Sequence, residues 1–194
     1  MTNTEATSPS DSAAAYAALS GGTATDERAD ILESLRSARF FLRHTVQGLT
    51  DEQARLTPTA SALSLGGLIK HVALTEEQWV EFIEKGTDAM PGGDDGDPDS
   101  PAAKRWANGF QLLPDETLAD ALAEYERVAA RTDALVESLP DLGLSHPLPP
   151  APWFAPGATR SARRVFVHIV AETAQHSGHA DIIRETIDGQ KTMG

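Results

Sequence analysis

The sequence predicts an all-α protein, a four-helix bundle with long loops between helices 2 and 3 and between helices 3 and 4. Three observations lead there. Apolar residues recur at steps of three and four in four separate segments. No segment shows the alternation of a half-buried strand. The chain has 194 residues, 40% of them apolar and none of them cysteine, which suits one core without disulfides.

Residues 1–24 are rich in Ser, Thr, Ala and Gly and hold too little apolar surface to offset the entropy of ordering a backbone. They are expected to be a disordered tail ahead of a bundle domain over 25–190. The first helix runs from Asp26 to Val46, with Ile31, Leu32, Leu35, Ala38, Phe41 and Leu42 on one face and Gly48 past its end. Thr50 and Gln53 match a capping box and predict a short helical turn. The second helix spans Ser64 to Lys85, with Leu65, Leu68, Val72, Trp79, Phe82 and Ile83 sharing a face and Gly86 ending it.

Residues 87–101 hold five aspartates, three glycines and three prolines. They read as a solvated acidic loop, because the spacing lacks the bidentate glutamate of a calcium-binding EF-hand. Pro114-Asp115-Glu116 then places acid at the positive end of a third helix, which runs through Leu118, Leu122, Tyr125, Val128 and Leu135 to Leu139. The proline-rich stretch 141–158 reads as coil or extended pieces packed by Trp153 and Phe154. The fourth helix covers Ser161 to Ile187, closed by Gly189.

Charge excludes several partners. The chain has 16 basic and 29 acidic residues, a net charge of −13. Nucleic acid and anionic membrane surfaces both need a basic face. There is no membrane-length apolar run, and the N-terminus has neither the basic start nor the apolar core of a signal peptide. The expectation is a cytoplasmic protein that works on a small molecule.

The chemistry concentrates on the fourth helix, which carries His168, Glu172, His176 and His179. At about 100° per residue these four occupy an arc of about 80°, and Val165, Ile169 and Ile183 fall in or beside it. A carboxylate on such a face needs a partner. Glu172 and His176, four apart, can reach one ion, whereas His168 and His179 lie roughly 16 Å apart along the axis and cannot share it. His71 on the second helix stands at the edge of the apolar face and completes a two-histidine, one-carboxylate set that leaves a coordination position open. Gly66 and Gly67 allow close helix packing one turn earlier. The same spacing also fits a second reading, in which Arg36, Arg39 or Arg43 of the first helix pairs with Glu172 and the histidines are core residues. His44 and His146 read as ordinary surface or satisfied histidines, and Trp79, Trp106 and Trp153 as core.

Three segments resemble one family: GLTDEQ (48–53), SLGGLIKHVALTEEQW (64–79) and VHIVAETAQHSGHADIIRETIDG (167–189). The chain resembles the DinB-like, or YfiT-like, metal-dependent enzyme superfamily, and within it the branch labelled mini-circle protein. The resemblance covers roughly residues 26–189. It implies a four-helix bundle around a divalent ion, zinc first and nickel, iron or manganese as alternatives, held here by His71, Glu172 and His176. Many members have histidine where this chain has Glu172, while the mycothiol-dependent maleylpyruvate isomerase relatives use glutamate. His179 stands where others often have glutamine.

The resemblance further implies chemistry on a low-molecular-weight thiol such as mycothiol, by S-transfer or isomerisation, with His179 as the candidate general base and His168 in a supporting role. Arg163, Arg164 and Arg184 are candidates for a substrate carboxylate. With no cysteine in the chain, any thiol comes from a small molecule. Pairing into a homodimer is also in keeping with the family. The competing functions are a small-molecule-binding or stress-related module with a structural or absent metal, and a hydrolase that uses metal-bound water alone.

Overall fold

A computed structural model describes residues 13–14, 16–18, 26–90 and 99–192, the side chains of 102, 103, 105 and 106 excepted. Its elements are α1 (Glu27–His44), α2 (Asp51–Arg55), α3 (Leu65–Lys85), a 3-10 turn (Gly86–Ala89), α4 (Pro101–Asn108), α5 (Leu118–Ser138), β1 (Ser145–Pro147), β2 (Thr159–Ser161) and α6 (Ala162–Asp188). The all-α class holds. The four long helices are the four segments whose apolar residues recur at helical spacing.

Their boundaries follow local chemistry. Asp26, Ser64, Thr117 and Ser161 each accept a backbone N–H from the first turn they precede. The capping box at α2 closes in both directions, with Gln53 N donating to Thr50 Oγ1 at 3.2 Å and Thr50 N donating to Gln53 Oε1 at 3.0 Å. Gly86 and Gly189 stop α3 and α6 at φ of 73° and 79°, in the left-handed region that glycine tolerates.

Three expectations are corrected. The third long helix does not open at Pro114. Pro114 and Asp115 lie in a turn, closed by Leu113 N donating to Glu116 Oε2 at 2.8 Å, and Thr117 is the cap. Where no strand pattern was expected, the proline-rich segment carries one extended piece, β1, which pairs antiparallel with β2 just past the segment's end, Ser145 opposite Ser161 and Pro147 opposite Thr159. At three residues each, the strands are too short for an alternating pattern to show. Trp153 is not core but 73% exposed. The side chain of Trp106 and most of the acidic loop, residues 91–98, lie outside the described residues, as does most of segment 1–24. Of that segment, residues 13–14 and 16–18 are helical, and the Tyr16 ring lies 5.1 Å from Phe41 and 5.8 Å from Phe40.

The bundle is not a simple up-down-up-down array. α6 packs along α1 and α3, and α3 packs along α5, whereas the backbones of α1 and α5 stand further apart and are joined by ion pairs of long side chains. The order around the bundle is therefore α1, α6, α3, α5, so α1 and α3 sit on a diagonal, as do α5 and α6. The long connections between α3 and α5 and between α5 and α6 permit this.

The core has two apolar layers. One gathers Leu35, Phe82, Ile83, Val136, Val165, Phe166 and Ile169. The other gathers Leu42, Leu65, Leu68, Ile69, Val72, Tyr125, Ala180 and Ile183. Between them every long helix contributes a buried polar residue: Arg39, Glu76, Thr132 and Thr173. Glu76 is 1% exposed, and Arg39 grips it through Nη2 to Oε1 at 2.5 Å and Nε to Oε2 at 3.3 Å, with Thr132 Oγ1 donating to Oε1 at 2.5 Å.

Candidate metal centre

The same middle level of the bundle holds His71, Glu172 and His176. α3 and α6 run antiparallel here, so His71 meets Glu172 and His176 while Trp79, two turns further along α3, meets His168. Glu172 Oε1 lies 3.3 Å from His71 Nε2 and 3.3 Å from His176 Nε2. One donor atom from each of the three residues lies within 4.8 Å of the others. Donors bound about 2.1 Å from one tetrahedral ion stand about 3.4 Å apart, so two of the three separations already fit. The group is reached by solvent on one side, with side-chain exposures of 8% for His71, 12% for His176 and 24% for Glu172.

The arginine reading of Glu172 is settled by where the arginines go. Arg39 holds Glu76 and Asp133, Arg36 holds Asp133, and Arg43 holds Glu126. Among the described side chains no lysine or arginine lies within ion-pair distance of Glu172. The buried Glu–Arg pair weighed for Glu172 exists, but at Glu76.

Electrostatics favours lone pairs over protons on the two imidazoles. Burial pushes His71 below the usual histidine range, against the pull of Glu172. Burial does the same to His176, helped by the neighbouring His71 ring and against Glu172. A carboxylate facing two neutral imidazole nitrogens, with no cationic side chain on it, is a donor set suited to a divalent cation.

Surrounding residues fix the ligand rings. Phe110 stacks on His71 with centroids 4.2 Å apart and planes at 20°. The Phe110 backbone comes that close because of Gly67: a Cβ there would stand 2.0 Å from the Phe110 carbonyl oxygen. The glycine pair thus admits the 108–112 segment at Gly67 and, at Gly66, both Leu112 and helix α2, whose Ala54 carbonyl oxygen a Cβ would approach to 3.2 Å. Lys70 pins the same segment by donating to Gln111 O at 2.8 Å and Asn108 O at 3.2 Å. On the other side His179 Nδ1 lies 3.4 Å from His176 Nδ1.

The remaining candidates are placed as follows. His168 stands edge-on to the Trp79 indole at 4.9 Å, one turn from Glu172, and joins no ligand group. Burial lowers its pKa, with Arg160 adding to the effect. His146 is satisfied, donating from Nε2 to Ile83 O at 3.1 Å. His44 is not a surface residue: it is buried, its Nδ1 has no hydrogen-bond partner, and its ring stacks on Phe40. Arg184 is no substrate receptor. It is buried and clamps Thr45 O and Gln47 O at 2.8 Å each, together with Asp188. Arg163 pairs with Glu27, and Arg164 is exposed. The sequence reading missed Phe110 and Lys70 as supports of His71. Their signal lay in the adjacent glycines, which mark a close backbone approach on one flank of α3.

Among the described residues, no helix is long and apolar enough to cross a membrane. No curated protein sequence matches the chain. A crystal structure described as the conserved protein of locus from Enterococcus faecalis shares the fold, with a TM-score of 0.59, 17% identity, and coverage of 86% of this chain and 100% of that one. A family model described as mycothiol-S-transferase matches residues 30–189, a span that takes in the four long helices except the first three residues of α1, and the whole His71–Glu172–His176 group. The chain belongs to the mycothiol S-transferase family, a family of DinB-like helical proteins.

Proposed function

We propose that the protein is a metal-dependent S-transferase that joins a small-molecule thiol to an electrophilic carbon, with His71, Glu172 and His176 as the metal ligands. The observation behind this is Glu172: its carboxylate faces two imidazoles that burial keeps neutral, and no cationic side chain among the described residues balances it. A divalent ion held there supplies Lewis acidity, which lowers the pKa of a thiol presented on the solvent-reached side. Zinc suits two imidazoles and a carboxylate with a position left open, and nickel, iron(II) or manganese are the alternatives.

The protein's own groups then have definite tasks. His71 and His176 offer Nε2 lone pairs, so each carries its ring proton on Nδ1. Phe110 holds the His71 ring in plane. His176 Nδ1–H donates to His179 Nδ1 across 3.4 Å, which fixes the tautomer that frees Nε2. In that tautomer the proton of the His179 ring sits on Nε2. His179 is then a positioning residue for His176, and this role replaces the general base proposed from the sequence. The thiol proton leaves through the solvent-reached side, the thiolate sulfur forms the S–C bond as the bond from that carbon to its leaving group breaks, the leaving group departs to solvent as an anion (halide from an aryl halide), and the cysteine-free chain supplies no thiol of its own to compete.

The test is thiol-dependent conjugation. Protein loaded with zinc is mixed with mycothiol and a chromogenic aryl halide, with a second set lacking thiol. The proposal expects protein-dependent loss of thiol that falls at least a hundredfold in Glu172→Gln. Turnover without thiol would identify a hydrolase instead, and an unchanged rate in Glu172→Gln would remove the centre from the reaction.

A further inference from the structure

Arg160 sits against aromatic rings rather than an acid. Arg160 lies on β2, directly before α6. Its guanidinium carbon is 4.5 Å from the centroid of the Trp79 ring and 5.4 Å from that of Phe154. Its Nη1 is buried and has no hydrogen-bond partner. Among the described side chains no carboxylate lies within ion-pair distance of it, and the neighbouring charge that acts on it is a second cation, Arg164. The neighbouring Arg163 differs, holding Glu27. With 29 acidic residues available against 16 basic ones, an acid-free pair of arginines is a specific arrangement.

Its place ties it to the metal centre. Trp79, under the guanidinium, also meets the edge of His168 at 4.9 Å. His168 precedes Glu172 by one helical turn, about 6 Å along the axis. Arg160 therefore stands on the His168 side of the group, across Trp79 from His168's edge contact rather than beside Glu172. Phe154 continues the aromatic wall outward to Trp153, which is 73% exposed, with ring centroids 6.1 Å apart.

We infer that Arg160, held against Trp79 and Phe154, receives the carboxylate of the electrophilic substrate, so that the molecule that accepts the thiol is a small organic acid with an apolar body. This rests on the thiol-transfer reading of the His71–Glu172–His176 group. A guanidinium laid against aromatic rings keeps its donors in one plane, which matches a flat carboxylate. Partly buried Phe154 and exposed Trp153 suit the substrate's apolar body, while Trp79, buried in the core, backs the guanidinium.

The test is a ligand-observed NMR titration of the full chain with phenylacetate, phenylacetamide and inorganic phosphate, run with and without chelator on the wild type, Arg160→Gln and Arg160→Lys. Phenylacetate is expected to bind, the isosteric amide at least tenfold more weakly, and phosphate no better than the amide. Arg160→Gln is expected to weaken phenylacetate at least tenfold and Arg160→Lys about threefold, with circular dichroism melts verifying the fold. If Arg160→Gln does not fold, the lysine variant decides, since it keeps the charge and loses the planar fork. Equal binding of acid and amide, phosphate binding as tightly as phenylacetate, no phenylacetate binding, or undiminished binding in the variants would each overturn the inference. The titration needs neither thiol nor metal. If the wild type binds no metal yet still loses phenylacetate on Arg160→Gln, the carboxylate site stands and only the thiol-transfer reading falls.

Discussion

Glu172 Oε1 lies 3.3 Å from His71 Nε2 although 101 positions separate the two residues. The contact joins α3 to α6, and it places a carboxylate against an imidazole that burial keeps uncharged. An ion pair between them would need a protonated histidine, which the buried ring resists. A cation between the two side chains reconciles both preferences.

His179 is predicted to act on metal affinity through His176. His179→Phe keeps a ring and removes the acceptor of the 3.4 Å contact. Metal affinity is expected to fall by about 10- to 100-fold, the usual effect of losing a partner of a ligating histidine. His179→Gln, which keeps an acceptor, should recover most of it. Competition with a chromophoric chelator measures both. A general base would show a different pattern, with affinity intact and the acid limb of the pH–rate profile altered.

Gly67 is predicted to be intolerant of any side chain. A Cβ at this position stands 2.0 Å from the Phe110 carbonyl oxygen, so the 108–112 segment must retreat. Gly67→Ala should destabilise the fold by about 2 kcal/mol in urea titration, in the range of overpacking in a filled site. It should also loosen the Phe110–His71 stack and weaken metal binding, whereas Gly178→Ala, where nothing lies within 4 Å of the added carbon, should do neither.

Arg39 and Glu76 are predicted to be dispensable together and needed singly. Arg39→Met leaves a 1% exposed carboxylate without its cation and should cost about 3–5 kcal/mol. Arg39→Met with Glu76→Leu should recover most of that loss, because a fully apolar replacement avoids an unpaired buried charge. A urea-unfolding cycle over the two sites measures the coupling.

Stability is predicted to fall as the solution is acidified below about pH 6.5. Burial lowers the pKa of His44, with Arg184 opposing its protonation further. The unfolded chain then binds a proton that the folded chain refuses. Stability is greatest above the unfolded value of about 6.5 and is lost as pH drops through the interval down to the folded pKa. His44→Phe keeps the stack on Phe40, removes the unpartnered Nδ1, and should flatten the dependence of Tm on pH between 7.5 and 5.

The helices and the meeting of His71, Glu172 and His176 were legible in the sequence because each rests on a strong local period. His71, Glu172 and His176 stand out as polar residues inside apolar arcs. The same logic, applied to the second helix, would have found Glu76, which at about 100° per residue falls between Ile69, Val72 and Val80 on the wheel. What the sequence hid depends on contacts between distant segments. The Arg39–Glu76 pair spans 37 positions, and nothing local distinguishes Arg39 from Arg36 or Arg43. The diagonal placement of α1 and α3 depends on loop routes that have no periodic signature. Arg160 becomes notable only once Trp79 and Phe154 are seen around it.

The central claim is that the His71–Glu172–His176 group holds one divalent ion. Equilibrium titration of the purified, chelator-stripped chain with zinc tests it most directly. The expected result is one ion per chain, with uptake reduced at least a hundredfold in Glu172→Gln and in His176→Ala while both variants keep wild-type circular dichroism. A wild-type chain that takes up no zinc, nickel, iron(II) or manganese, or variants that bind as tightly as the wild type, would contradict it.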